Sequence, residues 1–473
     1  MVFSSYVFLF LFLPALTLLY YITPRNKRNI RNGILLFFSI LFYGWSGPKY
    51  LIVLFLSIFV NWSGGILIHS FYRNSRPHCK KYTLLTVIVC NCLLLGVFKY
   101  TDFILWNLSL FTGHSFPMLN IVLPVGISFY TFQGMSYAID VYKQPELYIK
   151  NPLKVALYIT LFPQLVAGPI VRFSDIAEDI HCRKESLEDI SAGLQRFVFG
   201  LAKKIILADT FGILADNAFS SSSLSTGMAW IGALAYTMQI YYDFSGYSDM
   251  AIGLGRIFGF HFCENFNYPY ISTSVTEFWR RWHISLSSWF RDYVYIPLGG
   301  SRCSKSRQLF NLAVVWFLTG LWHGASWNFV LWGIYYLFFL AAEKYLFKSY
   351  LEKIPVFLRH IFTLLIIVFG WVLFRIDSLS GVLAYFKTMF GMGPVGFIQN
   401  ELIASLLNYR AFWIFGIIGA TPLMKNLATA FAAKYENSLI FEIIKEACVF
   451  LLFLLCIAYI IASSYNAFIY FQF

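Results

Sequence analysis

Apolar runs alternate with short basic segments along most of the chain, at lengths suited to crossing a bilayer. A first run over 6–22 and a second over 34–45 are separated by Arg25, Lys27, Arg28 and Arg31. Lys and Arg accumulate on the cytoplasmic side of membrane helices, so this loop is expected in the cytoplasm and the N-terminus outside. Arg73, Arg76, Lys80 and Lys81 follow 51–72, two crossings later, and return to the same side. The first run lacks a basic leader and a small-residue cleavage site, which predicts a retained membrane helix rather than a signal peptide. Further runs at 83–97, 121–142, 153–171, 197–219, 228–258, 310–322, 329–346, 357–374, 412–423 and 447–463 bring the expected total to on the order of 11 to 13 crossings.

Pro163, the Gly168-Pro169 pair and an interruption at Asp243, Ser245 and Gly246 predict broken or re-entrant helices in the middle of the chain. Such breaks survive at depth only where protein or water satisfies the freed backbone groups. There is no repeat period, and the longest polar stretch, 172–189, is too short for a soluble domain. The expected fold is therefore one all-α polytopic membrane domain over 1–473.

Composition strengthens this reading. Residues are 59% hydrophobic and only 12% charged, against roughly 25% charged in an ordinary soluble protein. The 36 Lys+Arg and 23 Asp+Glu leave a net charge of +13. In a membrane protein that excess marks cytoplasmic loops rather than a nucleic-acid footprint, so no nucleic-acid partner is expected and lipid is. The eight cysteines form no CxxC or Cys/His metal spacing, and no metal site is expected. Gly253, Gly255 and Gly259 follow no strand, and point to close helix packing rather than a phosphate loop.

Two segments carry chemistry. EFWRRWHISLSSWFRDYVYIP, 277–297, is expected to form one helix, on which Phe278, Trp279, Trp282, Leu286, Trp289 and Phe290 fill one arc, with Arg280, Ser287 and Arg291 beside it. His283 lies on the border. Either this is an interfacial amphipathic helix with rings and Arg heads at headgroup level, or its aromatic and Arg groups line the mouth of a pocket for a charged donor.

LTGLWHGASWNFVLWG, 318–333, is the second. Thirteen residues beyond the start of its apolar run the helix has climbed roughly 20 Å, and Gly320, Gly324, Ser326 and Asn328 interrupt it there. His323 is thus held at a break inside the membrane, where an ionisable group is by default a functional candidate. Asp243 and Asp249 are also intramembrane, but about 240° apart around a helix they make no paired-carboxylate site. Asp243 is expected to cap a helix or to neutralise Arg256 or Arg172.

These motifs together resemble the membrane-bound O-acyltransferase superfamily. FWRRWHISLSSWFRDYVYIPLGGSR and LTGLWHGASWNFVLWG carry the likeness. PLGG at 297–300, LFPQLVAGPIVRF at 161–173, DFSGYSDMAIGLG at 243–255 and the final SSYNAFIYFQF are similar to its bacterial alginate O-acetylation branch. The resemblance covers essentially the whole chain, and PLGG separates it from the branch that exports D-alanine to teichoic acids. It implies a ring of helices around a thin central region pierced by a tunnel, in the bacterial inner membrane. His323 is implied as the catalytic residue and His283 as the second, cytoplasm-facing histidine. Trp279, Arg280, Arg281, Trp282, Arg291 and Trp322 are then expected to bind the donor, and Ser326 and Asn328 to orient the imidazole or the developing oxyanion. The implied donor is acetyl-CoA, with no bound cofactor. Its phosphates would face the basic cytoplasmic side, and an extracytoplasmic acyltransferase of the SGNH hydrolase type would complete delivery to a polysaccharide. A D-alanyl transferase, a transporter and a non-catalytic scaffold for polysaccharide export are the rival readings.

Overall fold

The computed structural model describes residues 1–347, 350, 353–393, 395–397, 400–435, 438–463 and 465. Of the terminal SSYNAFIYFQF only Ser463 and Tyr465 fall among these; the rest of that motif lies outside the described residues. Every regular element among the described residues is helical and none is a strand. That is what lipid demands of a spanning backbone, which must satisfy its own polar groups. Five helices are long and apolar enough to cross a membrane: Pro48–Arg73, Pro77–Lys99, Trp327–Phe347, Val356–Arg375 and Leu439–Ala462. Leu402–Asn408 and Arg410–Gly419, bent by 64°, make a sixth if they form one span. The chain is a multi-pass membrane protein. Its remaining apolar runs form shorter helices, such as Phe8–Ile22, or helices carrying buried charge, so fewer helices qualify by length and apolarity than the runs in the sequence suggest.

Two compact units are present, 1–197 with 248–263, and 198–247 with 264–473. In the first, helix Ile127–Lys143 is buried along most of its length and packs on Leu51–Arg73 and Pro77–Lys99. Asn61 and Asn91, both fully buried, join those two helices by reciprocal amide bonds of 3.1 and 3.0 Å. Gly134 makes room for this pair, since a Cβ there would lie 2.3 Å from Asn61 Nδ2. Interhelical amide pairs of this kind hold membrane helices together without a hydrophobic drive between them. The predicted break is present at Pro163 and Gly168-Pro169: Pro152–Thr160 and Phe162–Leu165 are separate helices, and the chain is irregular up to helix Phe173–Cys182. The freed Phe162 N–H donates to Ser39 Oγ at 3.1 Å.

The basic loop is not simply solvated. Arg28, Arg31 and Arg183 converge on Glu185 at 2.5, 3.2 and 3.9 Å, and the Tyr20 hydroxyl donates to the same carboxylate at 2.5 Å.

The interruption expected at Asp243, Ser245 and Gly246 does not occur. Thr226–Ile257 is one continuous helix of 32 residues. In the second unit Asp243 is neutralised by Lys204 at 2.7 Å, which also holds Asp209 at 2.7 Å. Gly246 keeps its place because a Cβ there would come within 2.8 Å of the Gly200 carbonyl. A helix that packs this closely on a neighbour tolerates Gly and Asp without breaking. Lys204 itself sits in a π-helical stretch, Lys203–Ala208, a local widening often found where one side chain must be re-aimed. The cations expected for Asp243 are used elsewhere, in the first unit: Arg172 holds Asp175 at 3.0 Å and Arg256 holds Asp189 at 2.8 Å. Asp249 pairs with Arg196 at 2.9 Å. The glycines at 253 and 255 serve close packing, as expected: a Cβ at Gly253 would lie 2.5 Å from the Gly193 carbonyl.

Candidate active site

Both candidate histidines lie in the second unit. Helix Lys305–His323 ends on His323 itself, Gly324 is extended, and Trp327–Ala342 begins after Ser326. The two helices form an antiparallel hairpin whose halves meet backbone to backbone. A Cβ at Gly320 would lie 2.4 Å from the Phe329 carbonyl, one at Gly333 2.4 Å from the Trp316 carbonyl, and one at Gly324 2.2 Å from the Phe329 ring. These glycines explain the spacing of LTGLWHGASWNFVLWG: they bring the helices together and leave His323 at the tip. At the far end of the hairpin Lys344 Nζ donates to Gln308 at 2.7 Å. His323 is 4% exposed and walled by aromatic rings, with centroids of Trp322 and Trp332 at 5.0 Å and Phe374 at 5.2 Å.

The other histidine reaches the same place by a different route. Helix Val275–Arg281 is capped by Ser274, whose Oγ accepts from Glu277 N–H at 3.0 Å, while the Glu277 carboxylate accepts from Thr273 N–H, just before the cap, at 2.9 Å. The Glu343 carboxylate accepts from the free Val275 and Thr276 N–H groups at 2.6 and 2.9 Å. After Arg281 the helix stops. His283 has φ of +44°, a left-handed conformation, and a new helix, Ile284–Phe290, follows. The single amphipathic helix expected over 277–297 is therefore two, and His283 is buried within the protein, at 1% exposure.

Asn265 accounts for the break. Its backbone carbonyl accepts from Ile284 N–H at 3.0 Å. Its side-chain oxygen accepts from Ser285 N–H at 3.2 Å and Ser285 Oγ at 2.9 Å, and lies 3.1 Å from His283 Nδ1. An oxygen facing Nδ1 selects the tautomer protonated there and leaves the Nε2 lone pair available. His283 Nε2 is buried and has no hydrogen-bond partner among the described residues. The Trp322 ring touches both imidazoles, 5.8 Å from His283 and 5.0 Å from His323, so two motifs 40 residues apart in sequence meet at one site.

The other expected residues divide. Trp279 packs in an aromatic box with Trp316 at 4.9 Å, Trp332 at 5.5 Å and Tyr336 at 4.8 Å, and Trp332 joins that box to His323. Trp282 is buried against Phe266 and Trp371, at 5.0 and 4.8 Å. Arg280 is exposed. Arg281 is engaged by Glu277 at 2.9 Å, and Arg291 by Asp292 at 2.6 Å. Ser326 Oγ donates to the Asn328 side-chain oxygen, and Asn328 Nδ2 is buried with no partner among the described residues. Asn265, Trp332 and Phe374 are neighbours that the sequence reading missed.

Among the described residues no group of three or more His, Cys, Asp or Glu side chains is placed to hold a metal ion. Asn265→Ala would leave the Ser285 and His283 donors without their buried acceptor, at a cost of about 1–3 kcal/mol. Reduced stability in thermal unfolding of the purified protein, with Asn265→Asp less affected, is the expected result.

Two buried imidazoles at helix breaks in an all-helical, multi-pass chain define the class: a membrane protein with a histidine site among its helices. The chain matches the membrane-bound O-acyltransferase family over residues 143–386. Along its whole length it is 39% identical, over 505 aligned residues, to the probable alginate O-acetylase AlgI of Azotobacter vinelandii, and both chains are fully covered. It is 34% identical over 517 aligned residues to the peptidoglycan O-acetyltransferase of Helicobacter pylori, covering 100% of this chain and 98% of that one. With the teichoic acid D-alanyltransferase of Bacillus subtilis the likeness falls to 29% over 243 residues, 48% of this chain and 61% of the relative. The chain belongs to the membrane-bound O-acyltransferase family, in the branch of the AlgI relatives, and is an acyltransferase.

Proposed function

We propose that the protein moves an acetyl group from acetyl-CoA on the cytoplasmic side of a bacterial inner membrane to the outside, for O-acetylation of a polysaccharide, with His323 as the catalytic base. The observation that carries this reading is the placement of His323 at the tip of a hairpin, buried among aromatic rings beside a second imidazole of fixed tautomer. An aromatic wall excludes water, which protects a thioester from hydrolysis and strengthens polar interactions inside it. An acetyl thioester is already activated, so the chemistry needs a base that works near neutral pH, and imidazole is one. The acceptor hydroxyl gives its proton to the imidazole as its oxygen bonds to the carbonyl carbon. The C–S bond then breaks, and the departing thiolate takes the proton. His283 lines the donor's way in, and the N-terminus faces outside. A separate SGNH-type acyltransferase receives the acetyl group and delivers it to the polymer, which the acetylase relatives make a polysaccharide.

The test is made in cells lacking the gene and in the same cells complemented. Acetate per sugar on the exported polymer should vanish without the gene while polymer mass is unchanged. Membrane vesicles given labelled acetyl-CoA on the cytoplasmic face should then pass label to the polymer. Loss of export itself would favour a transporter or scaffold, and label accepted only from a D-alanyl donor would overturn the acetyl assignment.

A further inference from the structure

One wall of the His323 site is anchored by residues that do not touch the imidazole. Of the rings placed against His323, Trp322, Phe329 and Trp332 belong to its own hairpin, and Phe374 comes from helix Val356–Arg375. Phe374 is 2% exposed and also meets Phe329 at 5.0 Å and Trp332 at 5.3 Å. It thereby bears on how the hairpin tip lies within the second unit. Phe374 and Arg375 are the last two residues of their helix, since Ile376 is already extended. A last turn has carbonyls with no helical partner, and it frays readily unless side chains hold it.

Arg375 holds this turn. Its guanidinium donates to Asp216 Oδ1 and stands over the rings of Phe219 and Tyr236, 5.7 and 5.2 Å from their centroids. Asp216, on helix Asp209–Phe219, turns its other oxygen to the segment beyond span Leu439–Ala462: Oδ2 accepts from the Tyr465 hydroxyl at 2.8 Å. That hydroxyl has a seat of its own. Gln239 Nε2 donates to it at 3.4 Å, and Gly212 leaves the space, since a Cβ there would lie 2.5 Å from the Tyr465 oxygen. One carboxylate thus joins two residues that lie 159 and 249 positions from it in sequence.

The 20 residues of Val356–Arg375 rise about 30 Å, the thickness of a hydrocarbon core, so the pair at the helix end lies near the membrane boundary. There 25% of the Arg375 side chain and 38% of the Asp216 side chain are exposed, and ion pairs this open add little to stability. What this one contributes is direction. With each oxygen bound to a different partner the carboxylate is held in one orientation, which fixes Arg375 and, one residue before it, Phe374. We infer that Asp216 is a positioning residue for His323: acting through Arg375 and Phe374, and steadied by Tyr465, it sets where the imidazole stands. This rests on His323 as the base of the proposed function.

The test pairs a rate with a probe of His323 that needs no turnover. In membrane vesicles from complemented cells, label passed from acetyl-CoA to polymer is measured against acetyl-CoA concentration and normalised to protein. Asp216→Asn removes the charge at constant size. It should lower the maximal rate about tenfold or more, the scale of a small misplacement in a positioned site, with half-saturating acetyl-CoA unchanged. Asp216→Glu, which keeps the carboxylate, should restore most of the rate. Tyr465→Phe should lower it less than Asp216→Asn does, and should add nothing in the double variant, because both act through one carboxylate. In full-length protein in lipid nanodiscs, diethyl pyrocarbonate should modify His323 about threefold faster or more in Asp216→Asn than in the parent, as a loosened last turn requires, at an unchanged melting temperature. His283, held by Asn265, is the control and should react at the parent rate. Arg375→Gln should behave as Asp216→Asn does, and decides should that variant fail to fold. An unchanged rate, unchanged His323 modification, or equal gains at both histidines would overturn the inference. If the parent passes no label from acetyl-CoA, the acyl reading fails, and the modification pattern alone decides the positioning.

Discussion

His323→Ala lowers acetate on the exported polymer by at least a hundredfold, the ordinary scale of a lost general base being about 10²–10⁴. His323 faces Trp322, Trp332 and Phe374 rather than solvent, so no water or exposed side chain replaces the ring at that spot. Acetate must be normalised to mutant protein in the membrane, because truncating a buried side chain also removes packing. His323→Gln, nearer in volume, separates the two effects: it restores protein level and not acetylation. Undiminished acetylation in either variant would remove the imidazole from the chemistry. His283→Gln should give a smaller loss, since in the proposed function this ring only lines the donor's way in.

Lys204→Met should destabilise the protein by about 3–5 kcal/mol, the usual consequence of removing one partner from a buried ionic group. Lys204 is fully buried, and Asp209 and Asp243 keep only 6% and 2% of their side-chain surface. Without the ammonium, Asp209 of helix Asp209–Phe219 and Asp243 of helix Thr226–Ile257 are left as two buried acids with no cation between them. Replacing all three, Lys204→Met with Asp209→Asn and Asp243→Asn, should recover most of the loss, since buried ion pairs are often exchangeable for neutral groups. Denaturant unfolding of the purified protein measures both. A single Lys204→Met variant as stable as the parent would show that the three charges are not coupled.

The two predictions draw on residues that were unequally visible in the sequence. His323 was legible because three local signals coincide: a basic start, a counted climb, and glycines where the helix must stop. Pro163 and Gly168-Pro169 likewise announce a break by their own backbone chemistry. Asp243, Ser245 and Gly246 look similar in composition and yet leave the helix whole, because Lys204 and the Gly200 carbonyl lie opposite them. That pairing depends on which helices become neighbours, and hydropathy does not encode it. The same limit hid Asn265. Nothing in 277–297 itself dictates a left-handed residue at His283; the cause sits 18 residues upstream and acts through folding. Periodicity placed Trp279 and Trp282 on one arc, where they were expected to bind the donor, but it could not say which aromatic box each would join.

The hairpin that carries His323 also acts as a lever. Its base is joined where Lys344 meets Gln308, and its halves are in close backbone contact at Gly320 and Gly333. The 19 residues of Lys305–His323 give an arm of about 28 Å. A tilt of roughly 2° at the base displaces the imidazole by about 1 Å, enough in a positioned active site to change a rate by about a hundredfold. The loops at the foot of the hairpin therefore bear on the aim of a group they never touch, and in the proposed function the stiffness of that foot belongs to the catalytic apparatus.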